Sequence, residues 1–413
     1  MRQLISDLRS FNLGGVDIIG NPRSGSLIGL TGEGLEFIRH LKDCGVGAMS
    51  SYSGTDQVIV QALERGGFID EIPQGTELKS AYVHLTHRCN LHCVGCYSLI
   101  NERNRRADLP TSAWLKILDS LAGCGVRQVV FSGGEPTLRS DVVDIVAHAK
   151  GLGLMTSLIT NGTISHKRVG AIFPFLDVLC ISVDGYDASS SFIRDPWSPE
   201  RVFEFLHEVR DAVRCHLIFT LHRQNVQHMM KYVELAGREH MSFNFSILTV
   251  DPLDPTCAPF LLQEQDLREV GRVISVSETS SVDESVLRHV DEGISGLACI
   301  TQCGTAKKLI SVGADGTVFP CHMLHDDRLA LGNLLVDELS TILGRGRSLV
   351  HESVDDIDGC RDCEVKYLCG GGCRARSYLQ HNDFSHRDPY CSMSRVFLDA
   401  QIDAMKKYTG RGD

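Results

Sequence analysis

Cys89-Asn90-Leu91-His92-Cys93-Val94-Gly95-Cys96 directly follows the apolar, β-prone run Ala81-Tyr82-Val83-His84-Leu85-Thr86. Three thiols at spacings of four and three residues can converge on one metal centre. A structural zinc site needs a fourth ligand and leaves no position open, whereas an iron-sulfur cluster held by three cysteines keeps one iron free for a small molecule. In a parallel α/β barrel the loops after the strands assemble the chemistry, so a cysteine cluster at a strand exit also bears on the fold.

Outward from this stretch, β-prone runs alternate with helical patterns. Residues 127–132, 154–160, 176–182, 216–221 and 242–248 read as further strands, and segments such as 112–122 and 202–213 carry apolar residues at helical spacing. Six strands separated by helices predict βα units and a parallel sheet, open or curled into a partial barrel. Upstream, 16–19 and 26–30 read as a hairpin joined by the turn Asn21-Pro22-Arg23-Ser24-Gly25. Thr31 is expected to cap a helix through 34–41, and Thr55 another through 56–65 that Gly66 and Gly67 end. Residues 71–77 read as a polar linker, 251–298 as a connector with an acidic helical stretch, and 394–408 as a short amphipathic helix. No internal repeat or low-complexity tract is present.

The chain has 413 residues, 43% hydrophobic and 23% charged, which fits a soluble globular protein of several domains. Its 16 cysteines are too sparse for a disulfide scaffold. Asp7 and Arg9 interrupt the apolar pattern of a signal peptide, and no run of 18 apolar residues predicts a membrane span. A cytoplasmic location is therefore expected, where clustered cysteines are more often metal ligands or catalytic than disulfides. A net charge of −11 disfavours nucleic acid as a partner. Cys44, Cys124, Cys180, Cys215 and Cys257 are isolated; eight more cysteines fall between Cys299 and Cys391.

Four motifs stand in order at four successive strand ends: the cysteine triad, Gly133-Gly134-Glu135-Pro136, Thr160-Asn161-Gly162, and Ser182-Val183-Asp184-Gly185. Together they resemble the radical SAM superfamily over residues 80–250. The resemblance implies a partial (β/α)6 TIM-like barrel and a 4Fe-4S cluster on Cys89, Cys93 and Cys96. It also implies S-adenosylmethionine contacts from Gly133, Gly134, Glu135, Pro136, Thr160, Asn161, Ser182, Asp184 and Arg194. Reductive cleavage of that cofactor would give a 5′-deoxyadenosyl radical. Members of the superfamily usually carry an aromatic residue before the third cysteine, to touch adenine; here it is Gly95, and Tyr97 or a strand residue is left to cover that face.

Beyond the barrel the pattern is Cys299-x3-Cys303-x12-Gly316-x4-Cys321, then Cys360-x2-Cys363-x5-Cys369-x3-Cys373, then Cys391. Spacing alone suits two structural zinc sites equally well. From Cys303 onward the run is similar to the SPASM domain of radical SAM peptide maturases. That resemblance implies two auxiliary 4Fe-4S clusters, one on Cys299, Cys303, Cys321 and Cys373 and one on Cys360, Cys363, Cys369 and Cys391. Cys299 lies outside the seven-cysteine core of the pattern. His322 stands where sulfatase-maturing members carry an Asp base, and Cys257 is a candidate hydrogen-atom donor; these two are the catalytic candidates, with the bland alternative of an ordinary buried thiol for Cys257.

Residues 1–76 resemble a PqqD-like, winged-helix peptide-recognition element, on the hairpin, the helix after Thr31 and the final helix ending Glu64-Arg65-Gly66-Gly67-Phe68-Ile69-Asp70. A structural cap on the barrel is the alternative. The expected layout is a recognition module at 1–76, the barrel at 80–250, the connector at 251–298, a SPASM domain at 299–392, and a C-terminal helix and tail at 393–413. The resemblance implies a maturase that cross-links a ribosomally made precursor peptide, with a thioether preferred over a carbon-carbon bond because two auxiliary clusters can accept the electron left after ring closure. A leader-bearing precursor and an electron donor such as flavodoxin or ferredoxin are the implied partners, with no membrane. Peptide epimerisation, Cys or Ser oxidation, and a non-catalytic iron-sulfur protein that binds peptides or senses redox state are the rivals.

Overall fold

The computed structural model describes residues 2–69, 78–98, 104, 107–279, 289–290, 297–350 and 353–408. The expected linker at 71–77 lies outside them. Residues 2–69 fold around their own core of Ile19, Ile38, Leu41, Val60, Leu63 and Phe68. Strands β1 (Arg9–Leu13), β2 (Val16–Gly20) and β3 (Leu27–Leu30) form an antiparallel sheet in that order. The β2–β3 hairpin was legible; β1 is not, since its alternation holds only two apolar residues, Phe11 and Leu13, and main-chain pairing with β2 is what defines it. Thr31 caps the helix Gly32–Cys44 through a 3.2 Å bond from the Gly34 N–H to its Oγ1. Thr55 does not cap the next helix, Gly54–Arg65: it sits inside the first turn, and Ser53 holds the N-cap position.

The barrel strands are β4 (Ser80–His84), β5 (Gln128–Ser132), β6 (Met155–Thr160), β7 (Val178–Val183), β8 (Cys215–Leu221) and β9 (Ser242–Ile247). All six pair in parallel and in sequence order. Helices Thr111–Gly123, Val142–Gly151, Ser198–Val209 and Met229–Arg238, with the short His166–Val169, fill the crossovers. Trp114, Phe131, Phe219 and Tyr232 are fully buried between sheet and helices. This is the expected α/β partial barrel.

The sheet continues past its expected edges to ten strands among the described residues. β10 (His289–Val290) pairs with β9, and β11 (Leu309–Val312) lies parallel to β4. β12 (Thr317–Phe319) and β13 (Gly332–Asn333) follow antiparallel. The cysteine-rich region is thus joined to the barrel by main-chain hydrogen bonds at β4, the strand that feeds the cysteine loop. No helix among the described residues is long and apolar enough to cross a membrane.

The acidic connector forms the helix Glu264–Thr279, which packs along the C-terminal helix Cys391–Tyr408. A Cβ added at Gly271 would lie 2.5 Å from the Met393 carbonyl oxygen and 3.0 Å from the Val396 Cβ, so the two helices touch backbone to backbone there. Gly271→Ala is expected to destabilise the protein by about 1–3 kcal/mol through overpacking. Denaturant unfolding together with faster amide exchange in the C-terminal helix checks this.

Candidate active site

Residues 85–98 contain neither helix nor strand, so the cysteine loop takes its shape from its neighbours. The Thr86 carbonyl accepts from the Gly134 N–H at 2.7 Å, and the Arg88 carbonyl from the Glu135 N–H at 2.7 Å. A Cβ at Gly134 would lie 2.2 Å from the Arg88 oxygen, and one at Gly133 2.6 Å from the Thr86 oxygen. Only glycine allows this approach of two backbones. On the other side the Val94 N–H donates to the Ile193 carbonyl at 2.8 Å, and the His92 N–H to Asp195 Oδ2 at 2.7 Å. Asn161 Nδ2 donates to Asn90 Oδ1 at 2.9 Å.

The two acidic residues expected at the site hold backbone. Glu135 is fully buried. Its Oε1 accepts from the Thr137 N–H and hydroxyl and from the Thr160 hydroxyl, and its Oε2 from the Asn161 N–H at 2.7 Å. Burial pushes its pKa up, against the hydrogen bonds from Asn161, Thr137 and Thr160, which favour the charged form. Asp184, also buried, accepts from the backbone N–H groups of Phe192, Ile193 and Arg194 at 2.6, 3.1 and 3.3 Å through Oδ2. Glu135 therefore couples the ends of β5 and β6, and Asp184 folds the loop after β7 back towards the cysteines.

These loops enclose a cavity of about 160 Å³ lined by Cys93, Cys96, Tyr97, Ser182, Arg194, Thr220, Ser246 and His322, among others. Arg194 Nη1 is buried with no hydrogen-bond partner among the described residues. His322 enters from the cysteine-rich region, stacked on Tyr82 with ring centroids 4.2 Å apart and edge-on to Tyr97 at 5.7 Å. Beside them His84 stacks on His325 at 4.1 Å. Burial holds His325 down to about 3 and His84 well below the ordinary imidazole value, so both rings are neutral and stack without repulsion.

The space a side chain at position 95 would fill belongs to Leu248 and Val250, whose methyls lie 2.9 Å from a Cβ built on Gly95. Tyr97, whose hydroxyl is 3.2 Å from Ser132 Oγ, lines the cavity instead. Cys257 is brought to the cysteine loop but behind it. Its thiol is hydrogen-bonded by the Gly95 N–H and donates to Asp254 Oδ2 at 3.5 Å, and burial pushes its pKa up. Cys257 is absent from the cavity lining.

The later cysteines gather into groups. Cys373, half-buried, lies near Cys303 and Cys321. Cys360, Cys363, Cys369 and Cys391 lie near one another, with burial pushing Cys360 up to about 11 and Cys369 up to about 12. Among the described residues no three His, Cys, Asp or Glu side chains converge on a point that would hold a single metal ion. A cluster that binds each cysteine through its own iron does not require that convergence.

Residues missed in the sequence are those that hold the loops: Asn90, Asp195, Thr137 and Tyr82. Asn90 and Asp195 flank expected site residues, but nothing in their type or spacing marks them as partners across the barrel.

The family model described as "Radical SAM superfamily" matches residues 83–236. Residues 83–236 are a radical SAM domain. The chain is similar, at 28% identity over 358 residues, to a protein named PqqA peptide cyclase from Methylorubrum extorquens, over 79% of this chain and 87% of the relative. A protein of the same name from Methylocella silvestris is 29% identical over 338 residues, covering 75% and 86%. Among solved structures, native anSMEcpe with bound AdoMet superposes with a TM-score of 0.65 at 17% identity, over 81% of this chain and all of that one. Streptococcus suis SuiB bound to precursor peptide SuiA gives 0.58 at 16% identity, over 95% of this chain and all of that one. At these identities the structural likeness is one of fold alone.

Glu135→Gln is expected to destabilise the protein by about 1–3 kcal/mol, since an amide turns a donor towards buried donors. Urea unfolding of the cofactor-free protein, compared with Thr160→Ala, measures it without reference to catalysis.

Proposed function

We propose that this chain is a radical SAM maturase that installs a cross-link, with a thioether as the first product to seek, in a ribosomally made precursor peptide. The observation that carries it is the cavity lined by Cys93, Cys96 and Arg194, whose buried Nη1 has no hydrogen-bond partner among the described residues. A buried guanidinium donor beside Ser182 fits a carboxylate or hydroxyl group of a small ligand. Three thiols at the mouth of a strand, next to such a donor, fit a 4Fe-4S cluster with S-adenosylmethionine. Cys89, Cys93 and Cys96 would hold the cluster; Arg194, Ser182, Thr160, Asn161 and the 133–136 backbone would hold the cofactor. When bound, the pair supplies a carbon radical able to take an unactivated hydrogen atom.

The chain's own residues then orient and enclose. Asp184 fixes the backbone that carries Arg194, Glu135 fixes the ends of β5 and β6, and Ile159, Ile218 and Ile247 line the cavity with apolar surface that keeps water from the reacting carbon. The stacked rings of His322 and Tyr82 line the same cavity, where a peptide side chain would lie. The grouped cysteines of the C-terminal region support two auxiliary 4Fe-4S clusters, on Cys303, Cys321 and Cys373 and on Cys360, Cys363, Cys369 and Cys391. A coordinated thiol is deprotonated by its metal, which resolves the cost of burying these groups.

The three-stranded sheet of residues 9–30 supports leader recognition by strand addition at an outer strand, β1 or β3. The SuiB superposition covers too much of this chain to leave that unit out. A relative named peptide cyclase favours ring closure over epimerisation. A flavodoxin- or ferredoxin-type donor is the expected source of electrons.

Reduced, iron-loaded protein incubated with S-adenosylmethionine and a precursor peptide from a neighbouring short reading frame should release 5′-deoxyadenosine and a peptide lighter by two hydrogens. Blocked thiol alkylation marks a thioether; free thiols with the same mass mark a carbon-carbon link when a carbonyl reagent leaves the peptide unlabelled, and Ser oxidation to an aldehyde when it labels it. A peptide of unchanged mass and inverted stereochemistry overturns cross-linking, and absence of 5′-deoxyadenosine overturns the enzyme reading. Arg194→Met should weaken cofactor binding by about tenfold or more, the worth of a charged hydrogen bond, measured by equilibrium dialysis.

A further inference from the structure

The resemblance places Cys299 with Cys303, Cys321 and Cys373. Its surroundings point the other way. Cys299 is buried against the end of β2: a Cβ built on Gly20 would lie 2.5 Å from the Cys299 Sγ and 2.8 Å from its Cβ. Glycine at position 20 is what makes room for the thiol. The Cys299 N–H donates to the Gly25 carbonyl at 2.8 Å, in the turn between β2 and β3. The charges that bear on the thiol, Arg9 and Asp7, belong to the same N-terminal unit.

The residues that follow are clamped as well. The Ile300 N–H donates to the Tyr367 carbonyl at 2.7 Å, and the Val354 N–H to the Thr301 carbonyl at 2.7 Å. The Tyr367 ring lies against Phe11 of β1 with centroids 5.3 Å apart, and Arg9 pairs with Asp355 at 3.8 Å. Cys299 is therefore one tooth of a joint between the N-terminal sheet and the segment 354–367. Turning its thiol to iron would empty the space above Gly20 and strain a main chain tied on both sides. Cys373, by contrast, has Cys303 and Cys321 as its neighbours.

We infer that Cys299 anchors the N-terminal unit to the cysteine-rich region and is not an iron ligand. The auxiliary cluster on Cys303, Cys321 and Cys373 then keeps one iron without a cysteine. This rests on the auxiliary-cluster reading above. It also gives the N-terminal sheet a direct path to that cluster, only four residues long from Cys299 to Cys303.

Iron and sulfide per chain in the reconstituted full-length protein test it. Wild type should hold about twelve irons, four for each of three clusters. Cys299→Ala should keep about twelve while Cys303→Ala falls to about eight. Loss of about four irons in Cys299→Ala overturns the inference and leaves the cluster reading standing; a wild-type content near four sinks both. A second measurement leaves Cys299 in place. In protein lacking the first cluster (Cys89→Ala, Cys93→Ala, Cys96→Ala), cyanide should shift the electron paramagnetic resonance of the reduced auxiliary clusters, and an unshifted spectrum speaks against an iron without a cysteine. Gly20→Ala, which crowds the thiol, should raise amide exchange across residues 9–30 several-fold with iron unchanged; unaltered exchange rules out the anchoring role.

Discussion

A loop with no helix or strand carries the three cysteines on which the proposed chemistry depends, and its shape is imposed by hydrogen bonds from the loops after β5 and β7. The carbonyls of Thr86 and Arg88 are taken by Gly134 and Glu135; the N–H groups of His92 and Val94 are taken by Asp195 and Ile193. A loop of this kind would otherwise sample many conformations, and the entropy of fixing it is met by neighbours that are themselves fixed. Glu135 and Asp184 are the fixing groups. Glu135 accepts from donors of its own loop and of the end of β6, and Asp184 from N–H groups of its own loop after β7, so the cysteine loop and the loops after β5 and β7 are hydrogen-bonded into one rim.

Rigidity on that rim suits a site in which a radical must meet one hydrogen atom and no other. Part of the cavity wall comes from outside the domain. Because β11 adds in parallel to β4, the chain that carries His322 is aligned with the strand that carries Tyr82, and their rings stack at the cavity. The cavity is thereby completed by a region that sequence places some two hundred residues downstream. The same continuity lets the C-terminal cysteines sit close to the barrel without a long linker.

Much of this was legible, for a chemical reason in each case. Cysteines that bind a metal must be cysteines at a workable spacing, so the triad stands out. The six parallel strands bury one face fully against the helices and the other in part, so each carries a short apolar run such as Val129-Val130-Phe131 or Leu217-Ile218-Phe219. The glycines at 133 and 134 are forced by contact between two backbones. What was not legible depends on partners distant in sequence. Asn90 and Asp195 are ordinary polar residues until the fold brings Asn161 and His92 to them. β1 has only Phe11 and Leu13 as apolar residues, too short an alternation to stand out, and is defined by pairing with β2. Thr55 looks like a cap, yet the helix begins one residue before it, at Gly54.

The sequence alone determined a parallel α/β barrel with a cysteine triad after its first strand and a second group of thiols near its end, because ligand type, spacing and strand periodicity are local properties. Tertiary structure decided what the acidic motif residues do, which ring closes the cavity, and which side of the molecule Cys299 faces. Hydrogen-bond partners and close approaches such as Gly20 to Cys299 are set by three-dimensional packing of segments hundreds of residues apart, and no spacing along the chain encodes them.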